Sequence, residues 1–229
     1  IIHGRTKHLL QIINDIVDIS KIEANQLDIY PENFDLNELM NRLYKEQIKE
    51  LKDLRKSHIK LYLSKDIKKS NFRIKADSNR LRQVLDNLLS NAVKFTEKGS
   101  IEFGYRLEHQ NGIDFFVRDT GIGIPQEKQQ EIFERFRQAD ESSSRRYEGT
   151  GLGLTISKNL VEMMGGEIWM KPREKKGSCF CFFLPCEKSQ KEDNYPPQAD
   201  LEKYYDWKDK TILLVEDDAN LAATVADFL

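Results

Sequence analysis

Arg80, Gln83, Asn87, Asn91 and Lys94 recur at spacings of three and four residues along a helix that follows Asp77. At about 100° per residue they fall within an arc of roughly 80°. Leu81, Val84, Leu85, Leu88 and Ala92 form the core face on a different side. Two side-chain amides and a lysine on one face can offer carbonyl oxygens to a hard cation and a positive charge to a phosphate. A solvated polar face has the same pattern, so the stripe by itself does not choose.

Two further features carry related chemistry. Ile113, Phe115 and Val117 alternate inward along a strand, and Asp119 continues on that side. A carboxylate aimed into an apolar wall is costly unless it accepts from a donor, and the exocyclic amine of a purine is such a donor. Gly121 and Gly123 permit close approach of backbone to a flat ring. An Asp that simply begins a tight turn reads the same way. Then Gly149-Thr150-Gly151-Leu152-Gly153 leads into a helix, where free N–H groups and the helix dipole favour phosphate oxygens. No Lys-Ser/Thr follows, so this is not a Walker loop. A loop rather than a strand precedes it, so it is not a dinucleotide fingerprint.

The elements that must position these residues are legible in outline. A helix over 4–26 carries Leu9, Ile12, Ile16 and Ile19, widened by Leu10, Ile13 and Val17. That apolar face is broad for a lone helix and calls for a helical partner, from missing sequence or another subunit. A second helix is expected over 36–56, with Asp35 as N-cap and Glu38 completing a capping box. Strands are expected at 59–64 and 72–76, then the helix after Asp77, ending near Lys98-Gly99. Strands near 100–108 and 113–119 form an antiparallel pair across Gln110-Asn111-Gly112. Pro125 to Phe136 reads as helical and 137–150 as a polar, mobile loop. A helix over 152–164 ends at Gly165-Gly166, and strands at 167–171 and 178–185 close the domain. A charged linker with Pro196-Pro197 follows, then a buried-strand pattern from Thr211 to Val215.

Composition narrows the class. Lys+Arg of 36 against Asp+Glu of 38 gives a net charge of -2, which argues against a nucleic-acid binder. No apolar run approaches the roughly 20 residues of a membrane span. Cys179, Cys181 and Cys186 share one apolar stretch without a nearby His, so they read as core residues in a reducing compartment.

Taken in order, these segments resemble the sensor histidine kinases. "RLRQVLDNLLSNAVKFT" resembles their N box, "DTGIGIP" the first glycine box, "IFERFRQAD" the F box and "GTGLGLTISKNLVEMMGGEI" the second glycine box. "LLQIINDIVDISKIEANQL" looks like the second helix of their dimerisation hairpin. The resemblance spans about residues 5–186. It implies the α/β sandwich of the gyrase, Hsp90 and MutL ATPases, a Bergerat-type fold with a mixed sheet covered on one side by helices, preceded here by a bundle helix. The implied divisions are a partial hairpin helix over 1–28, the catalytic domain over 29–186, and a linker over 187–209.

The resemblance also implies a site for Mg-ATP. Asn91 would hold the magnesium, Asn87 would assist with metal or phosphate, and Lys94 would contact phosphate. Asp119 would accept from the adenine amine, with Gly121 and Gly123 shaping the base pocket. Residues 137–150 would be a lid anchored by Phe133 and Phe136, with Arg145 and Arg146 neutralising phosphate charge. Gly149, Thr150, Gly151, Leu152 and Gly153 would meet the phosphates. Related hydrolytic ATPases carry Glu at the position of Asn87, where it activates water; an amide cannot act as that base. Glu148 departs from the family, standing where many relatives have glycine.

No His-Glu or His-Asp acceptor motif followed by Arg-Thr-Pro occurs in the chain. His3 and His8 belong by register to the second hairpin helix, and His58 and His109 to the ATP domain. The acceptor helix is therefore expected outside these residues, with the intact protein a homodimer. "TILLVEDDANLAATVADFL" resembles the start of a receiver domain over 210–229, with Glu216 and Asp217 as its magnesium ligands. That implies a hybrid kinase, its catalytic module cytoplasmic and its parent open to a membrane anchor.

Overall fold

The computed structural model describes residues 2–67, 71–107, 111–129, 131–134, 151–171 and 176–188, apart from the side chains of 2–9, 11, 187 and 188. Phe136, Arg145, Arg146, Glu148, Gly149 and Thr150 lie outside the described residues, as do His109, the lid over 137–150, and the linker and receiver segments beyond 188.

Helix α1 (Ile2–Glu23) leads to a short strand β1 (Glu32–Asp35) and helix α2 (Leu36–Asp53). Strands β2 (Lys60–Lys65) and β3 (Arg73–Ala76) precede helix α3 (Ser78–Phe95). The antiparallel pair β4 (Ser100–Arg106) and β5 (Gly112–Asp119) follows. Helix α4 (Gly153–Met163), β6 (Glu167–Met170), β7 (Cys179–Pro185) and β8 (Glu187–Lys188) complete the order.

The main sheet has strand order β2-β4-β5-β7-β6, with β2 parallel to β4 and the other neighbours antiparallel. A smaller antiparallel sheet has the order β1-β3-β8. Period-two alternation decides what each face of the main sheet carries. Ile101, Phe103 and Tyr105 of β4, Ile113, Phe115 and Val117 of β5, and Phe180, Phe182 and Leu184 of β7 are buried in one core with the apolar faces of α2, α3 and α4. Phe115 and Phe182 stack across the two strands, centroids 4.8 Å apart. The opposite face carries a separate small cluster of Phe116, Cys179 and Cys181 beside Trp169. The fold is thus the mixed, one-sided sandwich that the motifs imply.

Local signals explain most of the elements. Asp35 caps α2 by accepting from the N–H groups of Asn37 and Glu38. The Glu38 carboxylate, expected to complete a capping box, turns instead to Arg42 at 2.9 Å. Asp77 caps α3 through Arg80 N and also accepts from Tyr30 N, which ties the segment after α1 to the start of α3.

Four further readings need correction. Strand β1 was not expected, because a four-residue edge segment beside Pro31 has too few apolar positions to show a period. Helix α3 ends at Phe95 rather than near Lys98-Gly99, since Thr96 is extended (φ -99°, ψ 118°). Pro125–Phe136 is not one helix among its described residues, which instead form 3-10 turns at Gln126–Lys128 and Glu131–Phe133. Among the described residues Ile132 is its one buried side chain, which is little apolar surface to hold a full helix against the core. Glu187 and Lys188, read as linker, pair with β3.

Candidate functional site

The candidate site lies where the C-terminal half of α3, the turn after β5 and the start of α4 meet. Asn87 Nδ2 donates to the carbonyl oxygen of Gly153 at 3.2 Å and to Ser157 Oγ at 3.3 Å. The Ser157 hydroxyl donates in turn to that carbonyl, 2.9 Å away. The two acceptors lie close together as seen from Nδ2, so one N–H is shared between them; a carbonyl oxygen can only accept, which assigns the amide orientation and leaves Oδ1 as the acceptor. One turn on, the Asn91 amide is half-buried and makes no hydrogen bond among the described residues. Two amide oxygens one helical turn apart fit a magnesium ion, which prefers few protein oxygens and takes its remaining ligands from phosphate and water.

Lys94 stands one turn further, its Nζ 4.9 Å from the centroid of the Phe95 ring. Burial holds its pKa below the ordinary lysine value of 10.5. An ammonium that loses hydration in this way gains more from an arriving anion. Helix α4 starts at Gly153 without a side-chain cap, and Leu152 before it is in the αR region (φ -98°, ψ -25°). First-turn N–H groups without a cap suit a phosphate oxygen. Gly151 has φ +70°, turning the backbone into that helix.

Asp119 is buried at the end of β5, on the inward side. Its Oδ1 accepts from Gly121 N at 2.7 Å. The tight turn and the carboxylate set into an apolar wall are thus two aspects of one residue. A Cβ at Gly121 would come within 2.3 Å of the Phe95 carbonyl oxygen, so no other residue fits there. Gly123, with φ +79°, lies against the backbone of Gly177. Phe133 packs edge-on against Phe180, centroids 6.2 Å apart, and its carbonyl accepts from Thr155 Oγ1 at 3.1 Å.

The polar stripe of α3 divides into two halves. Gln83 Nε2 donates to Asp18 of α1 at 2.7 Å, and Arg80 lies 3.7 Å from the same carboxylate. These two residues dock α1, while Asn87, Asn91 and Lys94 face the candidate site. A polar cleft of about 460 Å³ runs between α1 and α3, lined by Asp18, Lys21, Arg82, Asp86 and Asn87 among others. Sequence reasoning missed Ser157, although it sits four residues after Gly153 at helical spacing. It also missed Phe95, whose carbonyl receives the Ile122 N–H at 3.4 Å. Main-chain contacts of this kind leave no trace in residue type.

Residues 76–188 match the model of the histidine kinase-, DNA gyrase B-, and HSP90-like ATPase family. The autoinducer 2 sensor kinase/phosphatase LuxQ of Vibrio vulnificus is 39% identical over 219 residues, covering 92% of this chain and 25% of that protein. The chain therefore spans about a quarter of that relative's length. Among solved structures, the catalytic domain of the histidine kinase ThkA is 30% identical with a TM-score of 0.57, over 68% of this chain and 95% of that one. Full-length ShkA, solved in complex with AMPPNP, is 28% identical with a TM-score of 0.69, over 80% of this chain and 36% of that one. Because both the ATPase match and the near-complete coverage of a solved catalytic domain fall on the fold that builds this site, the chain belongs to the histidine kinases and carries their ATP-binding catalytic module.

Proposed function

We propose that this module transfers the γ-phosphoryl group of Mg-ATP to a histidine on a helix that pairs with α1, for passage to a receiver aspartate. The observation that carries the reading is Asn87. Its side chain is an amide whose Nδ2 donates to the Gly153 carbonyl and Ser157 Oγ. Such a group orients phosphate and metal but cannot take a proton from water, which favours transfer over hydrolysis. Magnesium, when bound, neutralises charge on the phosphate oxygens. Asn91 Oδ1, assisted by Asn87 Oδ1, holds it, and Lys94 meets a phosphate oxygen. Asp119 accepts from the adenine amine, and the first turn of α4 receives phosphate oxygens on its N–H groups. Arg145 adds positive charge from the lid.

The acceptor is a residue other than the chain's own histidines. His58, the one histidine whose side chain is described, lies with Nε2 2.7 Å from the Glu97 carbonyl. Helix α1 exposes Leu10, Ile13, Ile16 and Val17, an unpartnered apolar stripe that suits a hairpin helix and a second copy of the chain in a homodimer. No helix among the described residues is long and apolar enough to cross a membrane. We place the module in the cytoplasm, in a parent of hybrid architecture with its own receiver.

Incubating the 229-residue chain with Mg-ATP should give nucleotide binding without phosphohistidine. Adding a preceding acceptor helix should produce a label that survives alkali and is lost in acid. Rapid phosphate release instead, with no protein label, would support the hydrolytic alternative. Robust phosphohistidine on the chain alone would overturn the assignment of the acceptor.

A further inference from the structure

We propose that Lys56 is a positioning residue of the nucleotide site: its ammonium clamps the last turn of α3 and so sets the geometry of Lys94, Phe95 and the Gly121 turn. This rests on reading that region as the nucleotide pocket. Lys56 Nζ lies 2.7 Å from Val93 O, 3.0 Å from Thr96 O and 3.4 Å from Lys94 O. An ammonium has three N–H donors, and here it faces three carbonyls at one helix end. The last carbonyls of a helix have no partner within it and carry its negative partial charge, so a cation is favoured there. Thr96 ends α3 in an extended conformation. The cap that glycine often provides is supplied instead by a lysine nearly forty residues earlier, with a separation of 37 to Val93.

The way Lys56 reaches this end is itself built. Helix α2 closes with Arg55 N donating to Lys52 O at 3.0 Å and Lys56 N donating to Leu51 O at 2.7 Å. That is a Schellman arrangement with Arg55 at its left-handed position, φ +57°, where glycine is usual. The backbone adopts a disfavoured conformation at the residue just before Lys56. His58 and Lys60 extend the seam, meeting Glu97 O at 2.7 Å and Gly99 O at 3.0 Å. Lys56 alone in that seam contacts the carbonyls on either side of Phe95.

From there the coupling runs through direct contacts. Phe95 O accepts from Ile122 N at 3.4 Å and abuts Gly121 so closely that a Cβ there would come within 2.3 Å. Gly121 N donates to Asp119 Oδ1 at 2.7 Å. A shift of the α3 terminus therefore moves both the phosphate-facing lysine and the turn that orients the base-recognising carboxylate. Sites of this kind work only within about 0.5 Å of their productive geometry.

The test compares K56M, K56R and D119N in the full 229-residue chain. It measures Kd for Mg-AMPPNP by calorimetry well below each variant's unfolding midpoint. K56M should bind about tenfold more weakly, the scale set by losing a charge-assisted hydrogen bond. K56R, which keeps the donors, should restore most of the affinity, and D119N should abolish binding. In the unmodified chain, hydrogen exchange at Thr96, Gly121 and Ile122 should slow together when Mg-AMPPNP is added. This keeps the proposal testable should K56M fail to fold. A K56M that melts earlier but binds as tightly as wild type, beside a D119N that does not bind, would sink the positioning role and leave a plain structural cap. D119N binding as well as wild type would remove the pocket assignment itself, and the inference with it. Independent exchange at Thr96 and Gly121 would also overturn the coupling.

Discussion

Asn87 Nδ2 and the Gly153 carbonyl oxygen lie 3.2 Å apart, joining two segments separated by 66 residues at the point where the phosphates are expected. The contact makes Asn87 a strut between α3 and α4. Replacing it with Asp keeps the shape but sets a carboxylate oxygen against the Gly153 carbonyl oxygen. N87D should cost about 1–3 kcal/mol of stability. Ser157→Ala should cost about 1 kcal/mol, with the two effects non-additive in the double variant. Urea denaturation checks both; additive losses would mean that the three groups do not act as one network.

Asp18 should govern how α1 sits on the catalytic fold. Its carboxylate accepts from Gln83 at 2.7 Å and pairs more loosely with Arg80 at 3.7 Å. Asp18→Ala should speed hydrogen exchange across residues 12–23 while leaving α2 and the main sheet protected as before. Unchanged exchange in α1 would show that other contacts hold it.

Lys94 should make nucleotide binding pH-dependent. Burial lowers its folded pKa below 10.5. The unfolded chain therefore holds this proton more tightly than the folded one. The charge's burial cost is fully present below the folded pKa and is relieved as pH rises through the interval up to 10.5. An incoming phosphate should raise the folded pKa again. Binding of Mg-AMPPNP at about pH 9–10 should thus take up protons, near the range where lysine begins to titrate. Calorimetry in buffers of different ionisation enthalpy measures that uptake, and Lys94→Met should remove it.

Tyr105 sets an alkaline limit on stability. Its buried hydroxyl lies 2.9 Å from both Asn37 Oδ1 and Ile67 O, donating to one of them. Burial foremost pushes its pKa from 10.0 up to about 12. The folded state thus holds the phenol proton more tightly than the unfolded state. Its contribution is intact below pH 10.0 and falls away as pH rises toward about 12. Tyr105→Phe should flatten the decline of the unfolding midpoint over that window; an identical decline would place it elsewhere.

Arg55 occupies the left-handed region at φ +57°. Replacing it with Gly should relieve strain that outweighs the added freedom of the unfolded chain, for a net gain of about 0.5–1 kcal/mol. In a protein of this size that is a rise of roughly 1–4 °C in Tm. A lower Tm would show that the Arg55 side chain contributes more than its backbone costs.

Much of this was legible beforehand because it depends on short-range periodicity and composition. The period of two through Ile113, Phe115 and Val117 set Asp119 inward, and it is buried. The helix after Asp77 has the expected core face. The readings that failed were those in which tertiary contact overrides local pattern. Strand β1 exists because β3 supplies a partner. Among its described residues the segment after Pro125 winds into 3-10 turns, with Ile132 buried in the core.

By itself the sequence determined which side chains could meet a nucleotide, since motif order, helical spacing and the amide at Asn87 are properties of residue type along the chain. Only the tertiary structure decided how those residues are held. It splits the α3 stripe between α1 and the candidate site, brings Ser157 and Gly153 to Asn87, and sets Lys56 on the carbonyls that flank Phe95. Each of these contacts joins residues far apart in sequence, several through main-chain oxygens that every residue possesses. Residue type cannot announce such a partner; the folded backbone has to bring it there.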